Sequence, residues 1–368
     1  MIRLKVKYYT SITQVEQLSP EERERLKRIE EKYRFRANSY YLSLIDWSDP
    51  DDPIRKIVVP EEDELEEWGT LDASNEKSYT VAKGLQHKYP DTALFLVNDV
   101  CGGFCRFCFR KRLFINVGAE VIRDITPQLD YIRSHKEITN VLLTGGDPLL
   151  LSTEKLEKII GSLREIDHVQ IIRIGSKIPA FNPYRIIDDP ELLRMIRKYS
   201  TKEKKIYVMT QFNHPKELTE EAIEAVNLLK DAGAVLCNQT PLLRGINDSP
   251  ETLGELLDRL SFVGVTPYYV FQNRPVSGNR KFAVPIEEGY EIFTKAISNI
   301  SGVAKRVRYV MSHRTGKIEI AALTKNFIVF KYHRAHDEKN RRKVMVYKRN
   351  SQALWFDDYS ELLEEYTV

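Results

Sequence analysis

No apolar run in this chain approaches the ~20 residues that a membrane-spanning helix needs. The N-terminus, Met1-Ile-Arg-Leu-Lys-Val-Lys7, lacks the apolar core of a signal peptide. The chain is therefore expected to be cytoplasmic, with no membrane partner. Cysteine is scarce, four in 368 residues, which excludes a disulfide framework and suits a reducing compartment. An excess of charge of either sign is missing too. The 56 Lys and Arg against 53 Asp and Glu leave a net charge of +3, which argues against nucleic acid or another polyanion as partner. What remains is a chain with 42% hydrophobic and 10% aromatic residues, enough for one large core or two smaller ones.

Three of the four cysteines fall in one short stretch, Cys101-Gly-Gly-Phe-Cys105-Arg-Phe-Cys108, just after the apolar run Ala93 to Val97. A structural zinc site takes four Cys or His at fixed spacing. No second pair lies just downstream, and Cys237 is far away and alone. A cubane iron–sulfur cluster held by three thiolates instead keeps one iron open for an exogenous ligand, as a catalytic metal keeps an open position. The spacing C-x3-C-x2-C with an aromatic, Phe107, before the last cysteine resembles the signature of the radical S-adenosylmethionine (SAM) enzymes. That resemblance implies a [4Fe-4S] cluster whose open iron takes the amino and carboxylate groups of SAM. It also implies one-electron cleavage of SAM to a 5′-deoxyadenosyl radical that abstracts a substrate hydrogen, and a reductant such as flavodoxin or ferredoxin.

The first 90 residues read as a helical extension. Ser19-Pro-Glu-Glu22 is a capping-box pattern with proline at the first helical position, opening a charged helix to about Tyr33. The acidic run Glu61 to Glu67 reads as a solvated helix face. From Ala93 short β-rich runs alternate with amphipathic segments, with strands near 93–98, 139–144, 169–175, 205–210, 234–239 and 266–272. Helical patterns such as Pro190–Lys198 and Thr219–Asp231 separate them. Such alternation builds a parallel sheet, doubly wound or barrel-like. Polar residues at every strand's C-terminal end favour the barrel, where those ends converge on one mouth. They include Asn98, then Thr144 to Asp147, Arg173 and Ser176, Gln211 and His214, Asn238 and Gln239, and Gln272 to Arg274. Gly145 and Gly146 would let a backbone edge approach a ligand closely. The expected fold is α/β: a partial parallel (β/α)6 barrel of radical SAM type over 91–300, behind a helical N-terminal extension over 1–90. A small antiparallel β appendage follows over 301–368, with strands at 317–322, 327–332, 343–348 and 353–356.

Several segments in order, Cys105-Arg-Phe-Cys-Phe-Arg-Lys-Arg112, Leu143-Thr-Gly-Gly-Asp-Pro148, Arg173-Ile-Gly-Ser176, Phe212-Asn-His-Pro215, Asn238-Gln239, Leu242-Leu-Arg-Gly-Ile-Asn-Asp248 and Pro267-Tyr-Tyr269, together resemble the lysine 2,3-aminomutase family. Its members combine the adenosyl radical with pyridoxal phosphate (PLP) to move an amino group from the α- to the β-carbon of an amino acid. The resemblance implies Cys101, Cys105 and Cys108 as cluster ligands and Phe107 against the SAM adenine. Thr144, Gly145, Gly146, Asp147, Arg173, Ser176, Gln211 and His214 would contact SAM, and Asn238 and Gln239 PLP. Arg110 would grip the substrate α-carboxylate, a role that suits a planar bidentate donor. Lys317, in Thr315-Gly-Lys-Ile318, would bind PLP covalently, for which the amine must lose its proton. A homo-oligomer is also implied.

The chain departs from the family pattern at four places. Ser312-His-Arg-Thr-Gly316 replaces the proline and glycine run that precedes the lysine, so this loop backbone must differ. An arginine that helps bind the PLP phosphate falls at Thr92, for which His313, Arg314 or Arg112 are the substitutes the sequence offers. The two aspartates that hold the ε-ammonium of lysine fall at Arg274 and Val310. Neither binds an ammonium, whereas Arg274 suits a distal carboxylate. The expected activity is a PLP-dependent 2,3-aminomutase for a free amino acid other than lysine, with a neutral or acidic side chain. The alternative is a PLP-independent radical SAM enzyme on the same scaffold.

Overall fold

The computed structural model describes residues 5–122 and 124–368, so the start of the segment read as lacking a signal peptide, Met1 to Leu4, lies outside it. Near the N-terminus β1 (Tyr8–Tyr9) and β2 (Ala37–Asn38) pair antiparallel. Between them the helix Pro20–Lys32 begins as its sequence dictates: the Ser19 side chain accepts from the Glu22 N–H at 3.1 Å, and Pro20 takes the first helical position, where no N–H is needed.

One sheet then organises the chain. Its strands are β3 (Thr80–Ala82), β4 (Leu85–Tyr89), β5 (Thr92–Asn98), β6 (Asn140–Gly145), β7 (Ile171–Ser176), β8 (Ile206–Thr210), β9 (Val235–Leu242), β10 (Thr266–Gln272), β11 (Arg308–His313), β12 (Gly316–Leu323), β13 (Phe327–Ala335), β14 (Lys343–Lys348) and β15 (Leu362–Thr367). Each lies beside the next, and β3 and β15 are the open margins. From β5 to β11 every pairing is parallel. The strands flanking this block pair antiparallel on both sides. All six expected parallel strands are present in a partial barrel, and β11 adds a seventh that the sequence did not reveal.

Period-two alternation divides each parallel strand between two environments. Val141, Leu143, Ile172, Ile174, Ile206 and Val208 pack outward into one core with Leu156, Ile160, Leu192, Ile196, Val226 and Leu229 of the crossover helices. The residues between them, such as Leu142, Arg173, Gly175 and Met209, face inward. None of the helices in the described residues is long and apolar enough to cross a membrane.

Two expectations need correction here. The region before residue 90 is not purely helical, because β1 to β4 lie within it. The stretch 353–356 is not a strand. Ala353 and Trp355 are buried in the C-terminal core, but the N–H groups of Leu354 and Trp355 are both taken by the Asp358 carboxylate at 2.9 Å, and Phe356–Asp358 forms a 3-10 turn.

Candidate active site

The inward faces of the strands enclose a cavity of about 360 Å³. At one pole is the loop that follows β5, which brings Cys101, Cys105 and Cys108 to the cavity wall. The N-terminal segment holds this loop in place. Phe104 N–H donates to Arg36 O and Arg106 N–H to Ile57 O, each at 2.8 Å, and Asn38 Nδ2 donates to Gly102 O and Phe181 O, each at 2.9 Å. The Arg106 side chain is buried and grips the Glu64 carboxylate through Nε and Nη2, both at 2.8 Å. Glu64 was expected on a solvated face and is instead completely buried. Burial pushes its carboxyl pKa up, but Arg106 and Lys111 outweigh that and hold it below the ordinary value.

Burial raises the pKa of all three thiols, with Asp147 adding to it at Cys101, and Lys177 at Cys105 and Arg110 at Cys108 opposing it. They become thiolates there only against a compensating cation, which an iron cluster supplies. Cys108 Sγ already accepts the Arg110 N–H at 3.4 Å, the kind of contact that tunes a cluster sulfur. Among the described residues no three His, Cys, Asp or Glu are placed to hold a single metal ion. Cys101, Cys105 and Cys108 all line one cavity, where three irons of a cluster would each take one thiolate.

Phe107, Thr144, Gly145, Gly146, Asp147, Arg173, Ser176, Gln211 and Gln239 line the same cavity. The glycine pair is also required by its neighbours: a Cβ on Gly145 (φ +115) would stand 2.4 Å from Asn98 O, and one on Gly146 2.5 Å from Val100 O. Asp147 is buried, and burial pushes its carboxyl up to about 6. It accepts from Leu149 N–H, Ser176 Oγ and Lys177 N–H at 2.8 to 3.0 Å, tying the ends of β6 and β7 together. His214 and Asn238 do not reach the cavity. His214 Nδ1 caps a turn by accepting Lys216 N–H at 3.1 Å. Asn238, one residue out of phase with Gln239 on β9, braces Phe212 N–H and O from behind at 2.8 and 3.1 Å.

At the other pole β11 and β12 form a tight hairpin in which His313 pairs with Gly316. A Cβ on Gly316 would stand 2.2 Å from Arg334 O on β13, so this glycine lets β13 approach. The next residue, Lys317, projects into the cavity. Its Nζ donates to Ser312 Oγ at 3.2 Å and lies 4.7 Å from the Phe271 ring centroid. Burial, then Arg274, Lys88, Arg334 and Arg173, lower its pKa far below that of an ordinary lysine, which favours the free amine that a nucleophilic role requires.

Arg110 and Arg274 also face inward. Arg110 is clamped by Glu76, with Nη2 at 2.8 Å from Oε1, and reaches Thr144 Oγ1 at 3.0 Å. Sequence reasoning missed Glu76, which binds Arg112 as well; its only signal was an acid inside a polar turn. Burial raises its pKa, and the two arginines more than reverse that. Arg274 lies 4.3 Å from the Phe109 ring and hydrogen-bonds Ser74; burial lowers its pKa to about 10. Val310 is fully buried on β11. Of the substitutes considered for Thr92, Arg112 is occupied by Glu76 and Glu120, and His313 and Arg314 pair with Asp357. Lys88 and Arg334, which the sequence did not single out, line the cavity instead.

A partial parallel β/α barrel whose first loop sets three thiols at the wall of an internal cavity defines a radical SAM enzyme, and the radical SAM superfamily matches residues 95–259. A protein of Aquifex aeolicus (strain VF5), provisionally named an L-lysine 2,3-aminomutase, is 58% identical over 363 residues, 98% of this chain and 97% of that one. The L-lysine 2,3-aminomutase of Clostridium subterminale is 41% identical over 288 residues, 77% of this chain and 68% of that one. The glutamate 2,3-aminomutase of Clostridioides difficile (strain 630) is 36% identical over 299 residues, 80% and 69% of the two chains. The chain belongs to the lysine 2,3-aminomutase family of radical SAM enzymes. Membership implies a [4Fe-4S] cluster and SAM as cofactors, a small-molecule substrate, a reductant, and isomerase chemistry of the 2,3-aminomutase kind.

Proposed function

We propose that this enzyme is a PLP-dependent 2,3-aminomutase acting on a free amino acid with a neutral or acidic side chain. The observation that carries this reading is that Lys317, an amine whose pKa burial and surrounding cations lower, faces the same cavity as the three thiols. PLP, when bound, supplies a carbon that carries an amino group between two positions of the substrate, while the cluster and SAM supply the hydrogen-abstracting radical. The protein's part is to hold and orient. Cys101, Cys105 and Cys108 hold the cluster, and the edge from Thr144 to Gly146, with Phe107, Ser176 and Gln211, receives SAM. Lys317 and Gln239 meet PLP. Arg110, fixed by Glu76, binds the α-carboxylate, and Arg274 receives a distal carboxylate. Relatives named for lysine and for glutamate both align, so the substrate choice rests on side chains. A distal ammonium beside Arg274 and Lys88 would add like-charge repulsion to its desolvation cost. The same reading includes a cytoplasmic location, a flavodoxin- or ferredoxin-type donor and a homo-oligomeric assembly.

The test is deoxyadenosine and β-amino acid formation by anaerobically reconstituted protein across a panel of amino acids, with and without PLP. Glutamate or a neutral amino acid should give product only with PLP, and lysine none. Lysine turnover that is lost in Lys317→Ala but indifferent to Arg274→Asp would overturn the substrate assignment. Full product formation without PLP would overturn the cofactor.

A further inference from the structure

The pole of the cavity around Lys317 carries more positive charge than its protein partners neutralise. Lys88 Nζ donates to His313 O at 2.7 Å and Arg173 Nε to Asn140 Oδ1 at 2.9 Å, while Arg274 meets Ser74 Oγ; each acceptor is neutral. The carboxylate paired directly with this group is Asp91, on Arg334, with a side chain 55% exposed; the buried Glu76, shared between Arg110 and Arg112, acts on Lys88 and Arg274 without pairing with them. Buried cations left without counter-charge are costly, and a dianion entering here would offset that cost.

Arg334 is the member of this group best placed to receive it. It lies directly opposite Lys317 in the β12–β13 register, so the two side chains leave the sheet on the same face, and both line the cavity. Its guanidinium lies 4.2 Å from the Tyr89 ring centroid, which orients its plane. Its contacts to Asp91 and to Thr92 Oγ1, the latter at 3.4 Å, are both made by Nη2. Among the described residues Nε and Nη1 take no hydrogen bond, so their protons remain to donate to an incoming anion. Arg173 is close enough for the charges of the two arginines to be felt by each other.

We propose that Arg334, supported by Arg173 and the Thr92 hydroxyl, anchors the phosphate of PLP, so that one β-hairpin pair, β12 and β13, supplies both the covalent and the ionic attachment of the cofactor. The proposal rests on the PLP reading above and assigns its phosphate to an arginine on a strand of the C-terminal appendage, in place of one at position 92.

The experiment titrates PLP, and separately pyridoxal with and without inorganic phosphate, into the reconstituted wild type, Arg334→Ala, Arg334→Lys and the double variant Thr92→Arg/Arg334→Ala. Bound cofactor is read by its visible absorbance and by borohydride trapping on Lys317, and iron content serves as the check on folding. Loss of a charge-assisted pair should weaken PLP binding by about 10- to 100-fold in Arg334→Ala, leave pyridoxal binding unchanged, and abolish competition by inorganic phosphate. Arg334→Lys should fall between, and Thr92→Arg should recover most of the loss. Wild-type PLP affinity in an iron-replete Arg334→Ala, or equal losses for PLP and pyridoxal, would overturn the anchor and leave the PLP reading standing. A wild type that takes up no PLP would overturn both.

Discussion

An ordinary lysine is protonated at neutral pH and is a poor nucleophile. Lys317 is buried among Arg274, Lys88, Arg334 and Arg173, which loosen its hold on the proton, so Lys317→Ala should eliminate PLP absorbance and amino migration yet still assemble the four-iron cluster. Unchanged PLP absorbance in that variant would move the attachment to another lysine. Each of Cys101→Ala, Cys105→Ala and Cys108→Ala should lose the cluster, whereas Cys237→Ala should retain full iron content, since Cys237 lies on β9 away from the loop. Glu76 makes a pH-dependent contribution. Its folded-state pKa lies below the ordinary 4.5, so the stabilisation is complete above that pH and fades as the pH falls through and below it. Glu76→Gln should therefore cost about 3–5 kcal/mol near neutrality, a gap that narrows on acidification in denaturant titrations. Placement was legible for the thiols, Lys317 and Arg274, which all line the cavity. It was not legible where phase decides. Asn238 and Gln239 are adjacent polar residues at one strand end, and only the alternation of the folded strand tells which one faces the cavity.

Among elements, the six parallel strands could be read from apolar runs bounded by turn residues, because both faces of such strands are covered. The seventh, Arg308–His313, was missed: its run Tyr309-Val-Met311 is short and flanked by charge. The bracing of the thiol loop by residues 33–64 was equally hidden, since an acidic run looks solvated until its partner is known. Arg106 and Glu64 form that buried pair, and Lys111 joins it at 3.3 Å. Arg106→Met or Glu64→Leu alone should cost about 3–5 kcal/mol and lower cluster retention, while the double variant should lie much closer to the wild type. Additive losses in a double-mutant cycle would show that the pair acts through something other than mutual neutralisation. Gly146→Ala should dislodge the thiol loop through its contact with Val100 O, read as iron loss with little change in secondary structure.

For the molecule as a whole, the partial barrel was predictable from β/α alternation. The joining of both flanking segments to it was not, because β4 meets β5 and β12 meets β11 only once the parallel block exists. The cavity wall draws on residues from Ser74 to Arg334. A chain that leaves the ribosome in sequence order therefore displays Cys108 roughly two hundred residues before Lys317 and Arg334. At typical rates of synthesis that interval is on the order of 10–40 s. During it the thiols lack the wall that later encloses them, and oxidants reach them directly. Aerated cells should thus accumulate full-length protein with oxidised thiols and an intact fold, a defect that reductant and iron supplied after purification would reverse only for the sulfenate and disulfide forms.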